Sequence, residues 1–145
     1  MEQEYLVATV LISRPAATVW DHWTRPEAIQ RWNIPFENWH CPYVENNMEE
    51  GGRFFFRMEF LNGSDGFDHK GRYTRIIPGE YIEYVQDNGK HTIIEFQQID
   101  GNTILREQFE PEANTPLEMQ QSFCQSVLER FKNYVESTVP LPVNM

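Results

Sequence analysis

The chain has 145 residues, enough for one domain to bury a core without disulfide staples. Its net charge of −10 repels phosphate backbones and anionic membrane surfaces, so nucleic acid and membrane are excluded as partners. An apolar share of 40% beside 23% charged residues is a globular composition, and an aromatic share of 14% is high for one.

In chain order, residues 5 to 12 (YLVATVLI) are apolar and β-branched and predict a buried strand. Ser13 is the expected cap of a helix over PAATVWDHW, with Pro15 in its first turn. Ala16, Val19, Trp20 and Trp23 give that helix one apolar face. Thr24 is the expected cap of a second short helix, with Pro26 early and Glu27 at the capping-box position. Ile29 and Trp32 point one way from it. All four tryptophans fall between residues 20 and 39, which asks whether they fill a core or line a cavity.

A loop containing Pro35 and Pro42 follows, then a predicted strand over 43–48. The stretch RFFFRMEF (53–60) alternates, with Phe54, Phe56, Met58 and Phe60 on one face and Arg53, Arg57 and Glu59 on the other. A hairpin loop at 61–66 leads to a strand over 67–77, where His69, Gly71 and Tyr73 share a face with Phe67. Strands over 81–86, 91–99 and 103–110 complete a meander, joined by the turns DNGK and DGN. On the last of these, Glu107 is in phase with Leu105 and Phe109. Pro116 opens a long helix to about residue 137. Its inner stripe runs over Leu117, Gln120, Phe123, Cys124, Val127, Leu128, Phe131, Tyr134 and Val135. The tail 139–145 holds two prolines and is expected to lie loosely.

One strand, two short helices, a run of antiparallel strands and a long helix predict an α+β fold with a single domain over 1–145. A curved sheet wrapped around the helix leaves room for an internal cavity. Candidate lining residues are Trp32, Phe56, Tyr73, Tyr84, Phe96, Phe109 and Phe123, together with His69 and Glu107. Each ring has a plain competing reading as core. His69 and Glu107 would form a charge-assisted pair or an acid and base if both point inward, and a structural pair otherwise. Cys41 and Cys124 form no CxxC motif, and the histidines have no metal-ligand spacing, so no metal or cofactor is expected. Cys124 reads as an inert buried thiol. No basic, apolar leader opens the chain and no membrane-length apolar run occurs, which leaves the cytoplasm as the expected compartment.

Several motifs together resemble the helix-grip fold of the START and birch-pollen-allergen superfamily (SRPBCC). They are PAATVWDHWTRPEAIQRW, EEGGRFFFRM, GFDHKGRYTRIIPGEYIEY, ILREQFEPEANTPLEMQ and VLERFKNYVES, in this order and over almost the whole chain. Within that superfamily the chain resembles homologues of the activator of the ninety-kilodalton heat-shock protein's ATPase. The resemblance implies a curved antiparallel sheet of six to seven strands gripping the last helix. It also implies a Gly-Trp pair in that helix, where this chain has Phe123 and Cys124. The functional expectation is a binding protein that holds a small apolar or aromatic ligand. Two alternatives stand beside it: a co-chaperone acting on a heat-shock ATPase, with Trp39 as its exposed ring, and an enzyme of polyketide cyclase or hydrolase type. The partners to consider are the apolar ligand, a chaperone, and a second copy of the chain in a homodimer.

Overall fold

A computed structural model describes residues 5–138. The expected tail at 139–145 lies outside the described residues. The strands are β1 (Leu6–Ile12), β2 (Trp39–Asn46), β3 (Arg53–Phe60), β4 (Gly66–Ile77), β5 (Tyr81–Gln86), β6 (His91–Ile99) and β7 (Asn102–Phe109). The helices are α1 (Ala16–Thr24), α2 (Pro26–Trp32) and α3 (Leu117–Ser137). All seven strands form one antiparallel sheet in the order β1-β7-β6-β5-β4-β3-β2. The sheet curls into a half-barrel around α3, the helix-grip arrangement.

The hairpin turns explain the order from β2 to β7. β1 then pairs with β7 at the far edge, Val10 opposite Leu105. The chain must therefore cross from one sheet edge to the other between β1 and β2. α1 and α2 make that crossing and close one end of the half-barrel.

Alternation along the strands separates two faces. Val10, Ile12, Phe54, Tyr73, Ile82, Ile94 and Leu105 are buried on the concave side. The convex side carries exposed ion pairs, Arg53 with Asp87, Arg57 with Asp68, and Arg106 with Glu95. Such pairs contribute little stability each and mainly keep that face wetted.

Local chemistry departs from expectation in three places. Pro42 lies inside β2, which begins at Trp39 and not at residue 43. β2 is an edge strand, so the missing N–H costs no ladder bond, and the register shifts between His40 and Tyr43. Neither short helix has a side-chain cap. Pro15 and Arg25 occupy the cap positions, and Thr24 ends α1 with its hydroxyl donating back to the Trp20 carbonyl at 2.9 Å. Leu117, assigned to the inner stripe of α3, is instead 54% exposed, because the first turn of the helix projects past the sheet.

A second register shift, between Tyr73 and Arg75, bends β4. Just before it, Gly71 lies on the concave face where a side chain has no room. A Cβ there would stand 2.3 Å from the Val85 carbonyl oxygen and 3.0 Å from the Phe54 ring. Gly71→Ala is expected to destabilise the fold by about 1–3 kcal/mol through overpacking against backbone. Denaturant midpoints of the two proteins check this, and equal midpoints would mean that the β4–β5 ladder yields freely at that point.

Candidate functional site: an aromatic cavity with a buried carboxyl

Burial along α3 is uneven. Leu128, Phe131 and Val135 are fully buried against the sheet and the short helices. Towards the N-terminus, Met119, Gln120, Phe123, Cys124 and Val127 instead face a cavity of about 350 Å³. That size suits a small-molecule site.

The closed end of the cavity is built by the early tryptophans. Trp23 and Trp32 stack with centroids 4.6 Å apart, and Phe131 meets both edge-on at 4.9 and 4.7 Å. The Trp32 indole N–H donates to the His22 carbonyl at 2.9 Å, which fixes α2 against α1. Asn46 secures the same corner. Its amide donates to the Thr24 carbonyl at 2.8 Å, and its carbonyl accepts from the Tyr73 hydroxyl. The mouth lies at the other end, where Glu110, Glu112, Thr115 and Met119 join the lining and Met119 is 61% exposed.

Eight of the nine sequence-predicted residues line this cavity: Trp32, Phe56, Tyr73, Tyr84, Phe109, Phe123, His69 and Glu107. Phe96 does not. Its strand parity is right, but it lies further along β6, under Trp20 at 5.1 Å and Trp23 at 6.2 Å, where α1 covers it. Sequence reasoning missed Thr92, which alternation could have found, since it is in phase with Ile94. It also missed Glu110 and Glu112, which lie at the β7–α3 connection, where strand parity carries no information.

His69 and Glu107 are both in the lining, but no hydrogen bond or ion pair joins them among the described residues. They sit at the ends of a polar line. His69 Nε2 is 3.2 Å from the Tyr84 hydroxyl. Tyr84 lies close enough to Glu107 for the carboxylate to raise the phenol's pKa further, beyond the effect of burial. The Cys124 thiol in turn lies near enough to Glu107 to offset part of the rise that burial imposes on the carboxyl. Thr92 Oγ1 is buried without a partner of good geometry, although it lies near enough to the Tyr84 hydroxyl to temper that rise.

Burial drives the two ends in opposite directions. It lowers His69 from 6.5 to about 4, which leaves the imidazole neutral near pH 7. It raises Glu107 from 4.5 to about 7, so the carboxyl keeps its proton across much of the acidic range. Burial likewise raises Cys41 to about 12 and pushes the Cys124 thiol well up, so neither is poised as a nucleophile. Among the described residues, no group of three or more His, Cys, Asp or Glu could hold a metal ion.

The sign of the pH effect follows. Between pH 4.5 and 7 the folded chain holds a Glu107 proton that the unfolded chain releases, so stability falls as pH rises through that window. His69 acts oppositely between pH 4 and 6.5, where the unfolded chain holds the extra proton and rising pH stabilises. Replacing Glu107 by Gln removes only the first effect. Glu107→Gln is expected to gain on the wild type by on the order of 2–3 kcal/mol between about pH 5 and pH 8. Chemical unfolding at both pH values measures it, and a pH-independent difference would show that Glu107 is solvated.

Comparison with known proteins places this geometry. A sequence model of Activator of Hsp90 ATPase homolog 1-like proteins matches residues 13–136. The solution structure of an AHSA1-like protein from Aeromonas hydrophila is 31% identical, with a TM-score of 0.84 over 91% of this chain and 93% of that one. That of Chr148 from Cytophaga hutchinsonii is 32% identical, with a TM-score of 0.80 over 91% and 92%. A crystal structure from Nitrosomonas europaea shares the fold at 16% identity, with a TM-score of 0.78 over 92% and 94%. No curated protein matches the chain.

Proposed function

We propose that this chain, which belongs to the Activator of Hsp90 ATPase homolog 1-like family, is a binding protein that encloses a small, mostly apolar molecule between its sheet and α3. The observation that carries the reading is the stand-off of the N-terminal half of α3. A helix packed flush on the sheet would leave no void, whereas here rings from β3, β4, β5, β7, α2 and α3 surround about 350 Å³. Burying a ligand against those rings supplies the free energy, and the few polar groups fix its orientation.

A chaperone partner is the weaker reading. Trp39 was the ring expected to be exposed for it. Trp39 is half-buried, tilted on Phe60 at 4.4 Å and edge-on to Phe67 at 5.7 Å. Cyclase or hydrolase chemistry is weaker still, since the thiols are inert and burial lowers His69 to about 4, which makes it a poor base and leaves it no proton to donate near neutral pH.

Neutral apolar aromatics are expected to raise the melting temperature of the purified chain. At about a hundredfold excess over Kd the gain is near 2.7 kcal/mol. Cys124→Trp should abolish the shift by putting an indole into the space beside Glu107. A panel that stabilises neither protein, with native mass spectrometry finding no small molecule on the wild type, would overturn the proposal.

A further inference from the structure

The charges around the cavity all have one sign. Glu107 lies inside, and Glu110 and Glu112 stand at the mouth. Among the described residues no lysine or arginine is in the lining, and the one histidine there, His69, is kept neutral by burial. None of the three carboxyls takes part in an ion pair among the described residues. The two at the mouth accept neutral donors only: Glu110 from the His91 backbone N–H at 2.9 Å, and Glu112 from the Asn88 amide at 2.7 Å. Beside Glu107 stands the Cys124 thiol, at best a weak donor. This is an unusual lining for an apolar cavity, because a buried carboxyl costs free energy that an aliphatic side chain at the same place would avoid.

Each class of occupant meets that lining differently. An anionic amphiphile passes two carboxylates at the mouth and finds no cationic partner inside, so it pays desolvation with no return. A neutral apolar molecule fills the rings but leaves Glu107 against hydrocarbon. A molecule with an ammonium group satisfies all of the observations. The carboxylate is a charge-assisted acceptor, and the rings of Tyr84 and Phe109, which line the same cavity, are aromatic partners that a cation can use.

We propose that the cavity selects an apolar molecule bearing one protonated amine, with the ammonium held by the Glu107 carboxylate and carboxylate-bearing molecules excluded. The inference rests on the cavity being a ligand site and adds the ligand's charge. Binding such an amine favours ionised Glu107, so the proton that burial keeps there in the empty cavity is released as the ammonium enters.

Three probes with one skeleton test it: phenylbutylamine, phenylbutanol and phenylbutyrate, titrated calorimetrically into the full chain at about pH 8, where Glu107 is mostly ionised. The expected order is amine over alcohol by at least about tenfold, with the carboxylate weakest. In Glu107→Gln the amine-to-alcohol ratio should collapse to within about twofold. The wild-type order alone decides the matter if that variant does not fold. Equal binding of amine and alcohol, or a ratio that survives Glu107→Gln, overturns the charge selectivity and leaves the apolar cavity standing. Binding of none of the three overturns both readings.

Discussion

The fold and its cavity depend on how α3 is held. Its C-terminal half is locked by burial of Leu128, Phe131 and Val135. Along its whole length it is also stitched to the free edge of β1. Gln121 donates to the Val7 carbonyl, Gln125 to that of Thr9 at 3.0 Å, and Lys132 to that of Leu11 at 2.6 Å, while Glu136 accepts from the Ser13 N–H at 2.8 Å. Two strand residues advance about 6.7 Å and four helical residues about 6 Å, which matches the steps from Gln121 to Gln125 and from Lys132 to Glu136, whereas the seven residues from Gln125 to Lys132 rise about 10.5 Å. Long side chains absorb the difference. The stitching holds the helix beside β1 at a height set by side chains, not by core packing. The N-terminal half can therefore stand away from the sheet without being loose. It also occupies backbone groups through which β1 would otherwise pair with another chain, so a dimer would have to use a different surface.

The cavity that results is chemically uniform in an unexpected way. The same loss of solvent that neutralises His69 by removing its proton neutralises Glu107 by retaining one. Between about pH 5 and pH 6 the interior therefore carries little charge, although its sequence supplies an imidazole and a carboxyl, and Glu107 begins to ionise as the pH nears 7. Tyr84 stands between them as an uncharged link. An empty site of this kind stores the desolvation cost of Glu107, and an occupant that supplies a positive charge recovers part of it.

Much of this was legible in the sequence wherever a period of two or of 3.6 governed the outcome. The strands and their two faces follow from alternation, which puts His69 and Glu107 in phase with apolar neighbours but leaves open which way that face points, and Cys124, Leu128, Phe131 and Val135 follow from helical phase. Parity tells which face a residue is on and not how far along the groove it lies. That is why Phe96 was grouped with Phe56 and Phe109 although α1 covers it. Pro42 read as loop because its missing N–H is harmless only on an edge strand, and edge position is a tertiary fact. The capping roles given to Ser13 and Thr24 failed for a similar reason. Pro15 and Arg25, already extended, start the helices, and tertiary packing of Val19 and Ile29 holds them. The β7–α3 connection, which supplies the acidic mouth, has no periodicity to read.

The question of the early tryptophans dissolves in the same geometry. Trp23 and Trp32 are at once core and lining. Phe131 takes the edge of each ring, and the cavity takes what remains. Two stacked indoles form a rigid floor held by the Trp32 hydrogen bond to the His22 carbonyl and by Asn46 at the same corner, so the depth of the cavity is set by the join between α1 and α2. Towards the mouth, one turn along α3 from Met119, Phe123 stands between Phe36 and Phe67, with centroids 6.4 and 6.3 Å away. The order Phe123 then Cys124 matters for this reason. The large side chain stands at the entrance, where it narrows access, and the small one stands inside, where it leaves room beside Glu107. Reversing the sizes would open the entrance and fill the interior. The chain would keep its fold, because Leu128 and Phe131 lie beyond both positions, but it would lose the space that distinguishes it from a solid core.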